Sequence, residues 1–204
     1  MIPIQNIYYM LSYAFQVLNE QCYKNIATEQ FNNTGELMAA ILEKGIAIQI
    51  KRGLGKEYIL QTEALSSLQG KIDIAESIKT QSMLRKQLIC TYDEFSVNSI
   101  MNRIIKSTVE LLLRSNISKQ RKKNLRKLMV YFGEVDFIDL HTVNWNVQYN
   151  RNNQTYRMLI SICYLVVKGL LQTQSNGHTK LMDFLDEQRM CRLYEKFILE
   201  YYRR

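Results

Sequence analysis

The chain of 204 residues contains one proline, eight glycines and four cysteines, and each scarcity removes a class of protein. So little proline and glycine leaves no room for a flexible linker, and thirteen tyrosines are too many for a disordered chain. Cys22, Cys90, Cys163 and Cys191 lie far apart without a CxxC pair, and His141 and His178 are the two histidines, so no zinc site is expected. Long hydrophobic runs are also missing: the longest, 158–167, is too short to cross a bilayer. The apolar residues near the start alternate with Gln5, Asn6, Tyr8 and Tyr9 in a helical rhythm with no basic leader before them. No signal peptide is read there, and a reduced, cytoplasmic compartment is the default expectation. Phosphate-cradling GxxxxGK[ST], GxSxG and HExxH motifs are absent, which removes the common nucleotide hydrolases, serine hydrolases and zinc proteases.

What is present is a 47% hydrophobic composition, enough for a real core in one domain or in two small ones. Lysine and arginine total 27 against 19 acidic residues, a net charge of +8 that biases the surface toward anionic partners such as nucleic acid.

The sequence is organised around a change of period. Residues 88–95 alternate as a strand, with Leu88, Cys90, Tyr92 and Glu94 on one face and Ile89, Thr91, Asp93 and Phe95 on the other. After Ser96 and Asn98, both helix-capping types, Met101, Ile104, Ile105, Thr108, Val109 and Leu112 recur at helical spacing. The adjacent carboxylates Asp93 and Glu94 point to opposite strand faces and cannot easily converge on one metal ion. A place near the start of the following helix, where negative charge is favoured, is the simpler expectation for them.

The same reading predicts a first helix from Pro3 to about Asn19 and a second after Asn32, Asn33 and Thr34 that ends at Gly53. Short strands follow at 58–60 and 71–74, with a turn or bulge at Gly70. Together with 88–95 they form a small antiparallel sheet, covered on its apolar face by the helix that begins near Asn98. Residues 135–140 alternate weakly as a strand, and 145–154 read as an asparagine-rich loop. An apolar helix then carries Tyr156, Leu159, Ile160, Cys163, Val167, Leu170 and Leu171, and a last helix carries Met190, Leu193, Tyr194, Phe197, Ile198 and Tyr201. The expected fold class is α+β and predominantly helical: about six helices with a small antiparallel sheet from the middle of the chain.

The most basic run is Lys119, Arg121, Lys122, Lys123, Arg126 and Lys127, with no acidic residue among them. On a helix Lys119, Lys122, Lys123 and Arg126 share a face that can follow a phosphate backbone, or can simply be solvated; Leu125, Leu128 and Phe132 fall on the apolar side. Arg151, among the asparagines of the later loop, is a further candidate nucleic-acid contact.

Five stretches carry a resemblance: MIPIQNIYYMLSYAF at the start, LQGKIDIAESIK, CTYDEFSVNSIMNRIIKST, YNRNNQTYRMLISIC, and RLYEKFILEYYRR at the end. In this order, spanning nearly the whole chain, they resemble the McrC family, the nuclease-bearing subunit of 5-methylcytosine-dependent DNA restriction systems that act in phage defence. The resemblance implies docking on an McrB-like AAA+ GTPase, stimulation of its GTP hydrolysis, and a C-terminal PD-(D/E)xK nuclease whose carboxylates hold Mg²⁺. None of the nineteen acidic residues here is followed two positions later by lysine, so the cutting centre is not expected within these residues. The chain accordingly reads as an amino-terminal portion, inactive alone. A helical domain at 1–184 carries a β insertion at about 56–96, and 185–204 is the first helix of a nuclease domain, in which the resemblance makes Glu195 the counterpart of a first-helix glutamate. No cofactor is expected in the chain itself; GTP belongs to the partner. The alternative reading is an autonomous basic nucleic-acid-binding protein that uses the helix at 119–127.

Overall fold

A computed structural model describes residues 4–15, 18, 23–149 and 153–175. Its elements are helices α1 (Ile4–Ala14), α2 (Lys24–Thr28) and α3 (Thr34–Arg52), strands β1 (Glu57–Leu65) and β2 (Lys71–Asp73), helix α4 (Ile74–Lys79), strand β3 (Leu88–Ser96), and helices α5 (Ile100–Arg114), α6 (Lys119–Met129) and α7 (Gln154–Ser175). Short 3-10 turns occupy Ser82–Arg85 and Val130–Phe132. The α+β, predominantly helical class is as expected. The predicted last helix, the 185–204 segment, Arg151 and Glu195 lie outside the described residues.

Local chemistry sets most helix starts. Side chains of Asn33, Ser99 and Ser118 accept the backbone N–H groups of Glu36, Asn102 and Arg121, each three residues on, satisfying a donor that has no intrahelical partner. The cap of α5 is therefore Ser99, not Ser96 or Asn98. Asp93 and Glu94 stay within β3, exposed on opposite faces and too early in the chain to serve the helix end.

The core forms where α3, α5 and α7 meet. Leu37, Ile41, Leu42 and Ile46 pack with Ile104, Ile105, Val109 and Leu112, and with Leu159, Ile160, Ile162 and Cys163, all almost fully buried. Each such side chain contributes roughly 1.5–3 kcal/mol by leaving water. Gly45 lets α3 and α7 approach closely, since a Cβ there would run into Leu159 Cδ2.

Four expectations are corrected. Helix α1 stops at Ala14 instead of continuing to Asn19; the chain turns so that Leu18 enters the core and its carbonyl accepts the Tyr8 hydroxyl at 3.3 Å. Ile74 opens α4 and does not extend β2, because Asp73 accepts the Glu76 N–H at 2.9 Å and so caps a helix. Residues 135–140 form no strand and join no sheet. Their backbone groups bond to α5 and its lead-in, Asp136 N–H to Asn98 Oδ1 and Ile138 N–H to Ser107 Oγ, while Arg103 donates to Phe137 O. Finally, the sheet, in the order β1-β3-β2 with both pairings antiparallel, is not covered by α5. It packs against α4 and the 3-10 turn after it. The apolar stripe of α5 is consumed by α7 and α3, and one stripe cannot face two partners.

Candidate functional site

Helix α6 divides its charges between two faces. Ser118, its cap, donates from both N–H and Oγ to Glu36 at 2.9 and 2.7 Å, which ties the start of α6 to the first turn of α3. Leu125 is fully buried, and Asn124 donates to Glu43 Oε1 at 2.9 Å. Between them Arg121, 14% exposed, reaches Glu43 at 2.9 Å and Glu36 at 3.6 Å and donates to Glu29. Burial pulls the Arg121 pKa down, but the bond to Glu43 and the charges of Glu43 and Glu29 outweigh it and leave the guanidinium held above its ordinary value. Arg121, counted in the basic run from the sequence, is thus a structural cation directed inward.

The other basic residues of α6 face outward. Lys119, Lys123, Arg126 and Lys127 are exposed and Lys122 is half-buried. Among the described residues no side chain of the five has an ion pair or hydrogen bond. Like charges four apart on a helix repel by roughly 0.2–0.5 kcal/mol per pair, and Lys119–Lys123, Lys122–Arg126 and Lys123–Lys127 all have that spacing. An anionic partner would relieve this repulsion.

The β insertion presents a second surface. Antiparallel pairing puts Tyr58 opposite Phe95 and Leu60 opposite Asp93 on one face. On it Tyr58 is 74%, Leu60 68% and Phe95 55% exposed, and nearby Ile74 is 61% exposed. The Tyr58 and Phe95 rings lie 5.0 Å apart, with Lys56 Nζ 5.6 Å from the Phe95 centroid. Beside them a concavity of about 780 Å³ is lined by Leu60, Ile74, Lys71, Asp73, Thr91 and Asp93 among others. Large exposed apolar side chains gathered on one face mark a docking surface more often than a chance distribution.

The neck joining this insertion to the helical body is locked by a buried polar network. Asn102 of α5 donates to Gly55 O at 2.9 Å and to Val97 O at 2.8 Å, one on the incoming and one on the outgoing chain. Tyr156 of α7 accepts the Gly55 N–H at 2.7 Å and donates to Asn102 Oδ1 at 2.9 Å. Burial raises the Tyr156 pKa, so its hydroxyl keeps the proton that it donates.

Among the described residues no group of three or more histidine, cysteine or acidic side chains could hold a metal ion; the glutamates that do gather, Glu29, Glu36 and Glu43, already surround Arg121. No helix of the described residues is long and apolar enough to cross a membrane.

Comparison with known proteins places these surfaces in context. The family described as McrBC 5-methylcytosine restriction system component matches residues 5–204. The type IV methyl-directed restriction enzyme EcoKMcrBC of Escherichia coli (strain K12) is 31% identical over 212 residues, covering all of this chain and 59% of that protein. The chain therefore spans about three fifths of the length of this curated relative. In fold it is similar to a chain of the cryo-EM structure of the Thermococcus gammatolerans McrBC complex, with a TM-score of 0.65 at 21% identity, over 99% of this chain and 58% of that one. It is also similar to a chain in the refined half-complex from a tetradecameric assembly of Thermococcus gammatolerans McrB AAA+ hexamers with bound McrC. There the TM-score is 0.57 at 20% identity, over 77% of this chain and 41% of that one.

Proposed function

Because the chain belongs to the family of McrBC 5-methylcytosine restriction system components, we propose that it acts as an McrC-like subunit of a 5-methylcytosine-dependent restriction complex, docking on an McrB-like AAA+ GTPase and lying close to DNA. The partner class is carried over from the assembly of McrB hexamers with bound McrC, whose fold this chain shares in part. The observation that carries the docking reading is the uncovered sheet face: Tyr58, Leu60 and Phe95 stand in solvent on an insertion whose neck is rigidly bonded to the body. A face of this kind is stabilised when a partner removes it from water. The DNA reading is supported by the outward row of Lys119, Lys122, Lys123 and Arg126, with Arg151 kept as a further candidate.

No cutting step is assigned to these residues. The family's Mg²⁺ chemistry needs carboxylates free to hold the ion, and no acidic residue of the chain has the lysine two positions on that a (D/E)xK centre requires. Glu195 remains the candidate counterpart of a first-helix glutamate in such a nuclease. Alone, the chain should leave methylated DNA intact in Mg²⁺, GTP and the motor; cleavage that survives repurification would show this reading to be wrong.

Docking is tested by GTP turnover of the cognate AAA+ protein. The chain should raise that turnover, and Leu60→Ser with Phe95→Ser should abolish the increase while leaving a folded chain with cooperative thermal unfolding and unchanged DNA binding. Full stimulation by the double variant removes the sheet face from the proposal; no stimulation or binding by the wild-type chain removes the docking itself. The second reading, an autonomous nucleic-acid-binding protein, is favoured by the same unpaired basic row, and predicts tight, salt-sensitive binding with no effect on the GTPase.

A further inference from the structure

The row of exposed cations on α6 runs directly into exposed apolar and aromatic side chains. At the end of the helix Val130 is 77% and Tyr131 64% exposed, and Phe137, a few residues on, is 58% exposed. Tyr131 follows Lys127 by four residues, one helical turn, and so adjoins the end of the basic row. This corner is tied to α5. Lys106 of α5 donates to Phe132 O and Val135 O, its Nζ lies 4.7 Å from the Phe137 ring centroid, and Phe132 between the exposed residues is buried in the core.

From Lys119 to Lys127 the row extends for about 12 Å along the helix axis. An evenly charged row by itself would bind any polyanion, and duplex DNA offers it phosphates as readily as a single strand does. Ring faces held in solvent at one end change the preference. The stacked bases of a duplex cannot reach them, whereas an unpaired base can lie on a tyrosine or phenylalanine ring whatever its identity. Tyr131 and Phe137 lie outside the core and among the described residues neither ring has an aromatic partner; Lys106 Nζ sits over one face of the Phe137 ring, which is still 58% exposed.

We propose that α6 and the corner after it form a binding site for unpaired, single-stranded DNA, with phosphates on Lys119, Lys123, Arg126 and Lys127 and bases stacked on Tyr131 and Phe137. This rests on the reading that the chain lies close to DNA, and it names the form of DNA that the surface takes. In the restriction complex such a site would hold a strand that has been opened or displaced, leaving intact duplex to other surfaces.

The test is fluorescence anisotropy of the 204-residue chain with a labelled mixed-sequence oligonucleotide, alone and annealed to its complement, across a salt series. The single strand should bind about tenfold or more tightly than the duplex. Tyr131→Ala with Phe137→Ala should remove that preference with duplex affinity unchanged, and Tyr131→Phe should keep it. Lys123→Glu with Arg126→Glu and Lys127→Glu should abolish both affinities and flatten the salt dependence. Both aromatic positions are exposed, so unfolding midpoints should match the wild type. Equal affinity for the two forms, an unchanged preference in the double alanine variant, or tighter binding to RNA of the same sequence overturns the single-strand site. If the charge-reversed variant binds DNA as well as the wild type, the DNA reading beneath it fails as well.

Discussion

The hydroxyl of Tyr156 accepts the N–H of Gly55 and donates to Asn102 Oδ1, so two residues 54 positions apart together hold the neck of the β insertion. Asn102 adds bonds to Gly55 O and Val97 O, which leaves incoming and outgoing chains fixed to α5 and α7 at one point. Both ends of the insertion are thus clamped to the helical body by side chains of α5 and α7.

Tyr156→Phe should therefore destabilise the chain by about 1–3 kcal/mol in urea unfolding, because it strands both the Gly55 N–H and Asn102 Oδ1 away from water. Asn102→Ala should cost a similar amount. The double variant should cost less than the sum, with a coupling of at least about 0.5 kcal/mol, since the two side chains serve one network. Strict additivity would mean that they act independently.

Arg121→Ala should cost about 1–3 kcal/mol, because Glu36 and Glu43, 13% and 20% exposed, lose the cation between them, while Glu29, 44% exposed, turns to solvent. Adding Glu43→Gln should restore part of the loss. Lys123→Ala, on the outward face of the same helix, should stay within about 0.5 kcal/mol of wild type. A small effect at Arg121 would show the cluster to be solvated.

Alkaline pH should weaken the fold. Burial pushes the Cys163 thiol up to about 12 from its ordinary 9.0, so between these values the native chain keeps a proton that the unfolded chain has lost. The native state then binds more protons, and stability falls as pH rises, by up to about 1.4 kcal/mol per pH unit for this group. Tyr156, raised above its ordinary 10.0, acts in the same direction at higher pH. Unfolding measured from pH 8 to 11 should show this decline, and Cys163→Ala should make it shallower. Below pH 9 native Cys163 should also resist alkylation by iodoacetamide.

Gly45→Ala should cost about 1–3 kcal/mol by thermal or urea unfolding, as the new methyl group meets Leu159 Cδ2 and forces α3 and α7 apart. In a Leu159→Ala background, where that methyl has room, the same substitution should cost much less. An equal cost in both backgrounds would place the penalty elsewhere.

Several features could be seen in the residues before any coordinates. The strand-to-helix change around Ser99, the start of α3 at Asn33 and Thr34, the extent of the basic helix and the buried stripe of α7 all follow from periods and caps that act over three or four residues. Other signals were present and passed over. Asp73 followed by Glu76 is a helix-start pattern, and Trp145, Val147 and Tyr149 alternate within the stretch read as a polar loop, all three packing on the core. Arg121 falls on the Leu125 side of α6 when its positions are projected around the axis, which hints that it points inward. Its glutamate partners, 78 to 92 residues earlier in the chain, give no local sign.

Alone, the sequence determined the class of the fold, the helices that carry its core and the place where basic charge collects, because each of these is written in spacing and composition along one segment; the family showed as a resemblance carried by five stretches in order. Tertiary structure decided which cations remain free, which sheet face is left uncovered and how the insertion is held. Those outcomes depend on what distant segments bring to the same point: Glu29, Glu36 and Glu43 neutralise one arginine and leave its neighbours unpaired, and the apolar stripe of α5 packs on α7 and α3 while Tyr58, Leu60 and Phe95 stay exposed on the sheet. A side chain's neighbours in water or in the core set its energy, and the order of residues along the chain does not specify those neighbours.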